Sequence, residues 1–275
     1  MITVDKNYNG VIDELVNGSW ISPSDNQQYG IPIKNIEISE TLDGKETDLI
    51  KDLHSNQKLL IVSDPFTHKA MGSRIFKNLK GNINVDEYIW EQPSSSIKGV
   101  EFLRSKLKDY DGMIAVGSGT VSDSIKYATF LEGKVYSVFA TTPMNAYTTG
   151  TASISFDGVK KSLVAHYAQG VFFDLEVLSN CPKRLTAAAF ADVICRTTAQ
   201  VDWLMSHKLL NTDYTTTPYE LLALYEMDMI NNASDIAAGK IDSLALLTLI
   251  SAIMGLGTSF THTTHVGSMG EHSIS

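Results

Sequence analysis

Cysteine is scarce: the 275 residues contain two, Cys181 and Cys195, too few for a disulfide framework. Cationic side chains are outnumbered, with 22 Lys plus Arg against 31 Asp plus Glu and a net charge of −9. No Lys/Arg-rich run interrupts that excess, so a general nucleic-acid or anionic-membrane surface, which needs a positive stripe, is not expected. Nothing at the N-terminus reads as a charged segment, an apolar stretch and a cleavage site, and the cytoplasm is the expected location. The longest apolar stretch, Leu244 to Ile253, carries Thr248 and Ser251 and is too short to span a bilayer. A Gly-x-Ser-x-Gly elbow, a His-Glu-x-x-His pair and a phosphate loop ending in Gly-Lys-Ser/Thr are all missing. Serine-hydrolase, zincin and P-loop chemistries therefore lack their minimal residues.

What is present is an ordinary globular composition, 43% apolar and 19% charged, long enough for one large or two modest domains with their own cores. Residues 1 to about 57 read as irregular and polar, with turn formers at Asn7 to Gly10 and Ser22 to Asn26. Lys58 to Asp64 is then a continuous apolar run ending in an acid, followed by a helical pattern through Ala70, Ile75, Phe76 and Leu79. That is the strand, loop and helix of a parallel βαβ unit. The alternation continues with strands at Tyr88 to Trp90, Gly112 to Val116 and Lys134 to Ala140, separated by helices from about Ser96 to Leu107 and from the glycine turn to about Leu131. An open parallel sheet is expected. A hairpin from Thr151 to Leu163, with Asp157-Gly158 at its tip, precedes a last strand at Gly170 to Asp174.

After about residue 180 the β-branched runs give way to stretches of Ala, Leu and Met with 3.6-residue periodicity: Arg184 to His207, Pro218 to Ile236 and Asp242 to about Thr258. Thr216 to Pro218 mark a helix start and Gly239 a stop. The expected architecture is a Rossmann-like α/β dinucleotide-binding domain, residues 1–179, followed by an all-α domain, residues 180–275.

The most informative segment is Val116-Gly117-Ser118-Gly119-Thr120-Val121-Ser122, where two glycines join a buried strand to a helix. Glycine lets the backbone turn tightly and approach a ligand, and the free N–H groups of a helix start favour a phosphate. Ser122 stands where the dinucleotide fingerprint has its third glycine, so a tight strand-to-helix turn without ligand is the other reading. Asp64 is placed either to accept hydrogen bonds from an adenosine ribose or to cap the following loop.

Four segments, in order, carry a resemblance to a known group. They are Gly117 to Lys126, with its glycine turn followed by Asp123-x-x-Lys126; Thr141-Thr-Pro-Met-Asn-Ala-Tyr-Thr-Thr149; Cys181 to Asp192, continuing through Thr197, Asp202-Trp203 and His207; and Gly270-Glu271-His272-Ser-Ile-Ser275. Together they resemble the glycerol-1-phosphate dehydrogenase and glycerol dehydrogenase group, in the superfamily that also holds iron-containing alcohol dehydrogenases and dehydroquinate synthase. The resemblance implies an NAD- or NADP-dependent, metal-dependent dehydrogenase of a polyol or polyol phosphate, of the glycerol-1-phosphate type. It implies a cofactor pyrophosphate on Gly117, Ser118, Gly119, Thr120 and Val121, with Thr141, Thr142, Met144 and Thr149 around the nicotinamide end. It also implies a catalytic divalent ion (zinc, nickel or iron) on Asp192 and His272. Such an ion polarises the substrate hydroxyl while hydride passes to nicotinamide.

Departures from the group's pattern are visible. Asn145 occupies the place of a substrate-holding acid, keeping hydrogen bonding without the charge. His265-Val266 replaces an Arg-Pro ahead of His272. The group's third metal ligand lies in helices beyond the point corresponding to Ser275, which implies either an incomplete helical domain or a ligand from elsewhere, with His262 and His265 the nearest choices. Other readings are a nucleotide-binding remnant without a competent metal centre, and a dehydroquinate synthase-like lyase, whose cleft would need several Lys and Arg. A small-molecule substrate and a homo-oligomer are the expected partners. Cys181 and Cys195 read as helix-start and core thiols, Trp203 as packing, and Lys160-Lys161 as a solvated turn rather than a phosphate contact.

Overall fold

The computed structural model describes residues 9–273. The stretch expected to be irregular holds real elements: α1 (Gly10–Val16), a short ribbon of β1 (Trp20–Ile21) and β2 (Gln28–Tyr29), β3 (Asn35–Ser39) and α2 (Glu46–His54). Each exposes only a fragment of apolar pattern. β3 buries Ile36 and Ile38 alone, and α2 buries Ile50 with the polar Glu46 and His54.

From there the expected alternation is found. β4 (Leu59–Ser63) leads through the single turn α3 (Pro65–Thr67) and a wider turn at His68–Gly72 into α4 (Ser73–Leu79); β5 (Val85–Ile89), α5 (Ile97–Leu107), β6 (Gly112–Gly117), α6 (Gly119–Leu131) and β7 (Val135–Ala140) follow. A hairpin of β8 (Thr151–Phe156) and β9 (Val159–Val164) turns at Asp157 and Gly158, both left-handed at φ 50° and 84°, the conformation a two-residue hairpin turn demands. β10 (Gly170–Asp174) closes the sheet.

Six strands lie in the order β3-β10-β7-β6-β4-β5, every neighbouring pair parallel. All five residues of β4 and all six of β6 are buried, as befits strands covered by helices on both faces. The chain leaves β4 for β5 on one side and returns to β6 on the other. The carboxyl ends of β4 and β6 therefore form a topological switch point, where open α/β sheets bind ligands.

Beyond the sheet the chain is helical: α7 (Leu175–Ser179), α8 (Lys183–Leu210), α9 (Thr217–Ala223), α10 (Glu226–Asn231), α11 (Ala233–Ala238) and α12 (Ile241–Thr261). The single helix expected over Pro218 to Ile236 is three short ones. Asn232 marks one break, its side-chain amide donating to the Asp228 carbonyl at 2.7 Å, a local bond that competes with helix continuation. Gly239 ends α11 with φ 77°, as its composition indicates. α12 is, by length and composition, apolar enough to cross a membrane, which the shorter apolar run had not indicated. In this fold every residue from Ser243 to Thr258 is buried, and the helix is the centre of the helical half. Trp203 is buried and donates from Nε1 to the Asp213 carbonyl at 2.7 Å, a packing role.

Candidate active site

The site is built from the glycine turn outward. A Cβ on Gly117 would lie 2.9 Å from the Val121 Cβ, so only glycine lets the end of β6 lie against the first turn of α6. A Cβ on Gly119 would meet nothing within 4 Å, because this residue faces open space. Ser118 makes no side-chain cap, and the first N–H groups of a helix have no acceptor within it. Ser118, Gly119 and Thr120 thus present a helix start to a cleft of about 800 Å³, within the range of small-molecule sites.

The far wall of this cleft is α8. Leu185, Ala188, Asp192 and Cys195 recur at helical spacing on one face and all line it. Met254, Gly255 and Thr258 of α12 contribute the floor, and Met144, Asn145 and Thr149 come from the turn after β7. That turn is fixed twice. Thr148 Oγ1 donates to the Ala252 carbonyl at 2.9 Å, and the buried Tyr147 hydroxyl donates to the Gly117 carbonyl at 3.0 Å.

At the α8 wall, Asp192 Oδ1 lies 3.4 Å from His272 Nε2, and Asn145 Nδ2 donates to Asp192 Oδ2 at 2.7 Å. Burial pushes the Asp192 carboxyl above the ordinary carboxylate range, with His272 and the Asn145 amide pulling the other way. Asp192, Cys195 and His272 each offer one ligand atom, and the three atoms all lie within 4.8 Å of one another. A carboxylate, a thiol and an imidazole at that spacing suit a divalent ion.

Behind the cleft, Lys126 is fully buried. Its Nζ donates to the Ala146 carbonyl at 2.6 Å, the Thr151 carbonyl at 2.9 Å, Thr149 Oγ1 at 3.2 Å and Asp123 Oδ1 at 3.3 Å. Asp123 Oδ2 accepts the Ser153 N–H at 3.2 Å. The Asp-x-x-Lys pair therefore ties α6, the 145–149 turn and the hairpin together. Burial pushes Asp123 up and Lys126 down, each opposed by the other's charge.

Of the residues singled out from sequence, Ser118, Gly119, Thr120, Thr142, Met144, Asn145, Thr149, Asp192 and His272 line one cleft. Gly117, Val121 and Thr141 stand behind its wall, where Gly117 and Val121 shape the turn. Asp64 is a helix cap: its Oδ1 accepts the N–H groups of Phe66 at 2.8 Å and Thr67 at 2.9 Å, and it does not line the cleft. His262 ends α12 in the left-handed region and His265 packs edge-on against Trp203, their ring centroids 5.9 Å apart; neither joins the Asp192 cluster. Two readings change. Cys195 is not a core thiol, since it lines the cleft beside Asp192. Lys160, expected to be merely solvated, is exposed yet also lines the cleft, with Ser153 and Ser162.

A sequence model of iron-containing alcohol dehydrogenases matches residues 37–182, more than half of the chain. The chain belongs to the iron-containing alcohol dehydrogenase family. It is similar to a glycerol-1-phosphate dehydrogenase (NAD(P)+) of Halalkalibacterium halodurans, 29% identical over 223 residues, which covers 78% of this chain and 56% of that protein. The protein of the same name from Pyrococcus horikoshii is 28% identical over 245 residues, covering 88% of this chain and 70% of its own length. The chain thus spans little more than half of the first of these relatives. In fold it resembles an iron-containing alcohol dehydrogenase from Thermotoga maritima, with a TM-score of 0.70 at 16% identity over 86% of this chain and 70% of that one. A probable glycerol dehydrogenase from Sinorhizobium meliloti gives 0.67 at 18% identity, over 87% and 68%. The architecture, a parallel sheet followed by a helical part, is the one expected from sequence, with β3 as a sixth strand beyond the five expected.

Proposed function

We propose that this chain is an NAD(P)-dependent, metal-dependent dehydrogenase that interconverts a polyol phosphate and its ketone, with glycerol 1-phosphate and glycerone phosphate the leading pair. The observation that carries this reading is that one cleft joins the helix start at Ser118 to Thr120 with the Asp192–His272 pair. A dinucleotide phosphate and a cation have opposite needs, and each end of the cleft meets one of them. The names of the similar proteins favour the same chemistry.

Each residue then has a task. The N–H groups of Gly119 and Thr120 receive the pyrophosphate, while Thr142, Met144 and Thr149 border the nicotinamide end. Asp192 and His272 hold the divalent ion (zinc, nickel or iron), with Asn145 keeping the carboxylate oriented. Held by Asp192 and His272, such an ion would supply Lewis acidity, and a dinucleotide on the helix start at Gly119 and Thr120 would supply hydride chemistry. Burial raises the proton affinity of Asp192, so a proton competes with the ion for this carboxylate as pH falls. Lys160, with Ser153 and Ser162, provides a cation and hydroxyls for a substrate phosphate at the hairpin side of the cleft.

A dehydroquinate synthase-like lyase fits less well, because Lys160 is the one lysine or arginine among the described lining residues. The test is oxidation of NADH or NADPH, followed by absorbance, with glycerone phosphate and with unphosphorylated dihydroxyacetone, before and after adding Zn²⁺, Ni²⁺ or Fe²⁺. Metal-dependent turnover that prefers the phosphorylated ketone is expected and falls in Lys160→Ala. Dinucleotide binding with no turnover under any metal would instead make this chain a nucleotide-binding remnant.

A further inference from the structure

We propose that Cys195 is a direct ligand of the metal ion, making the centre an Asp–Cys–His site suited to zinc. This rests on the reading of Asp192 and His272 as ligands and adds a residue to it. Asp192 and Cys195 are separated by three positions on α8 and so share a helix face, and both line the cleft.

One edge of the trio has the length of an edge in a zinc coordination shell. Two ligand atoms each about 2.1 Å from a tetrahedral zinc stand roughly 3.4 Å apart, and Asp192 Oδ1 and His272 Nε2 are 3.4 Å apart. That separation is longer than the about 2.7–2.9 Å of a direct charge-assisted hydrogen bond. Cys195 Sγ closes the triangle, all three atoms lying within 4.8 Å of one another. Asn145 already engages Asp192 Oδ2, which leaves Oδ1, the oxygen facing His272, as the ligand atom.

The thiol sits between the backbone of its own helix and the turn at Gly267. Sγ donates to the Asp192 carbonyl at 3.0 Å and approaches the Gly267 carbonyl at 3.8 Å. On binding an ion the thiol gives up its proton to solvent and its sulfur lone pair to the metal. A thiolate beside an imidazole and a carboxylate favours zinc over the harder ferrous ion. Three protein ligands leave a fourth position toward the cleft for a substrate oxygen.

Cobalt(II) reports the sulfur directly. The metal-free full chain is titrated anaerobically with Co²⁺, and separately alkylated with iodoacetamide with and without Zn²⁺, with the modified cysteines identified by peptide mass. One equivalent of cobalt, an intense near-ultraviolet sulfur-to-cobalt band, and at least tenfold zinc protection of Cys195 with Cys181 unchanged are expected. Cys195→Ala is expected to lose the band and weaken zinc binding by at least about a hundredfold, the upper end of what losing an outer-shell partner costs. The alkylation arm uses the unaltered chain and does not depend on how the variant folds. One equivalent of cobalt that Asp192→Ala abolishes, with no band and no protection, would overturn the thiolate ligand and leave the Asp192–His272 reading standing. Failure to bind either ion would overturn both.

Discussion

The Asp202 carboxylate accepts the Gly270 N–H at 3.2 Å, tying the turn that carries His272 to the helix that carries Asp192. A Cβ on Gly270 would lie 2.8 Å from Asp202 Oδ2, so the contact depends on glycine. His272 is itself partly exposed, its side chain retaining 44% of its accessible surface, and its position relies on such tethers. Asp202→Ala and Gly270→Ala are each expected to weaken zinc binding about tenfold, as loss of an outer-shell partner does, with little change in stability. Competition against a chromophoric chelator measures this, and unchanged affinity in both variants would remove the positioning role.

Gly117 and Gly119 separate folding from binding. Gly117→Ala places its Cβ 2.9 Å from Val121, and overpacking of this kind costs about 1–3 kcal/mol. Gly119→Ala meets no protein atom but fills the space in front of the helix start. The first variant is expected to lower the urea midpoint, and the second to leave it unchanged while weakening NAD(P)H binding at least about tenfold. Equal dinucleotide affinity in Gly119→Ala and the parent would place the pyrophosphate elsewhere.

Much of the sheet was legible because buried parallel strands read as unbroken apolar runs, as Leu59 to Val62 and Met113 to Val116 do. β3 was not, since an edge strand burying only Ile36 and Ile38 offers two apolar positions, too few to separate from a loop. The helix starting at Pro218 seemed continuous because periodicity does not register the local bond of Asn232. At the site, Asp192, Asn145 and His272 were found through resemblance rather than spacing: they lie far apart in the chain and meet only through the packing of α8, the 145–148 turn and the last turn. Cys195 was misread because a helix face turned toward a cleft and one turned toward a core carry the same apolar pattern. Its signal was the shared face with Asp192. Lys126 stood plainly in the Asp-x-x-Lys segment, but its complete burial follows from the three carbonyl and hydroxyl acceptors that surround it.

That burial makes the Asp123–Lys126 pair a structural weak point. Lys126→Met removes the donor to Ala146, Thr149 and Thr151 and leaves Asp123 buried without its cation. Breaking one side of a buried pair costs about 3–5 kcal/mol, and the loss is expected in urea unfolding monitored by circular dichroism. Because the same lysine fixes the turn bearing Asn145, ligand affinity is expected to fall as well. A variant of parental stability would mean that Lys126 contributes no net stabilisation.

Acid sensitivity is expected from His166, whose ring lies between Phe130 and Tyr136, with centroids at 5.9 and 5.2 Å. Burial, reinforced by the Lys126 charge, lowers its pKa from 6.5 to about 4. Between those values the unfolded chain takes up a proton that the native state refuses. Stability is therefore lost as pH falls from 6.5 to about 4, is unaffected by this group above that window, and changes no further below it. The loss is on the order of 1–3 kcal/mol. Burial lowers the His54 pKa too, adding in the same direction. His166→Phe is expected to flatten the slope of unfolding free energy against pH across the window, whereas an unchanged slope would assign the acid limb to other groups.

The most direct measurement is metal content together with isothermal titration of NAD(H) and NADP(H), on the chain and on Asp192→Ala. One equivalent of metal in the parent, lost in the variant while dinucleotide binding is retained, is the predicted result, because the proposed function assigns the ion to the Asp192 carboxylate and the phosphates to the helix start of the same cleft. Dinucleotide binding without metal uptake, or neither, would contradict a single cleft that joins the two.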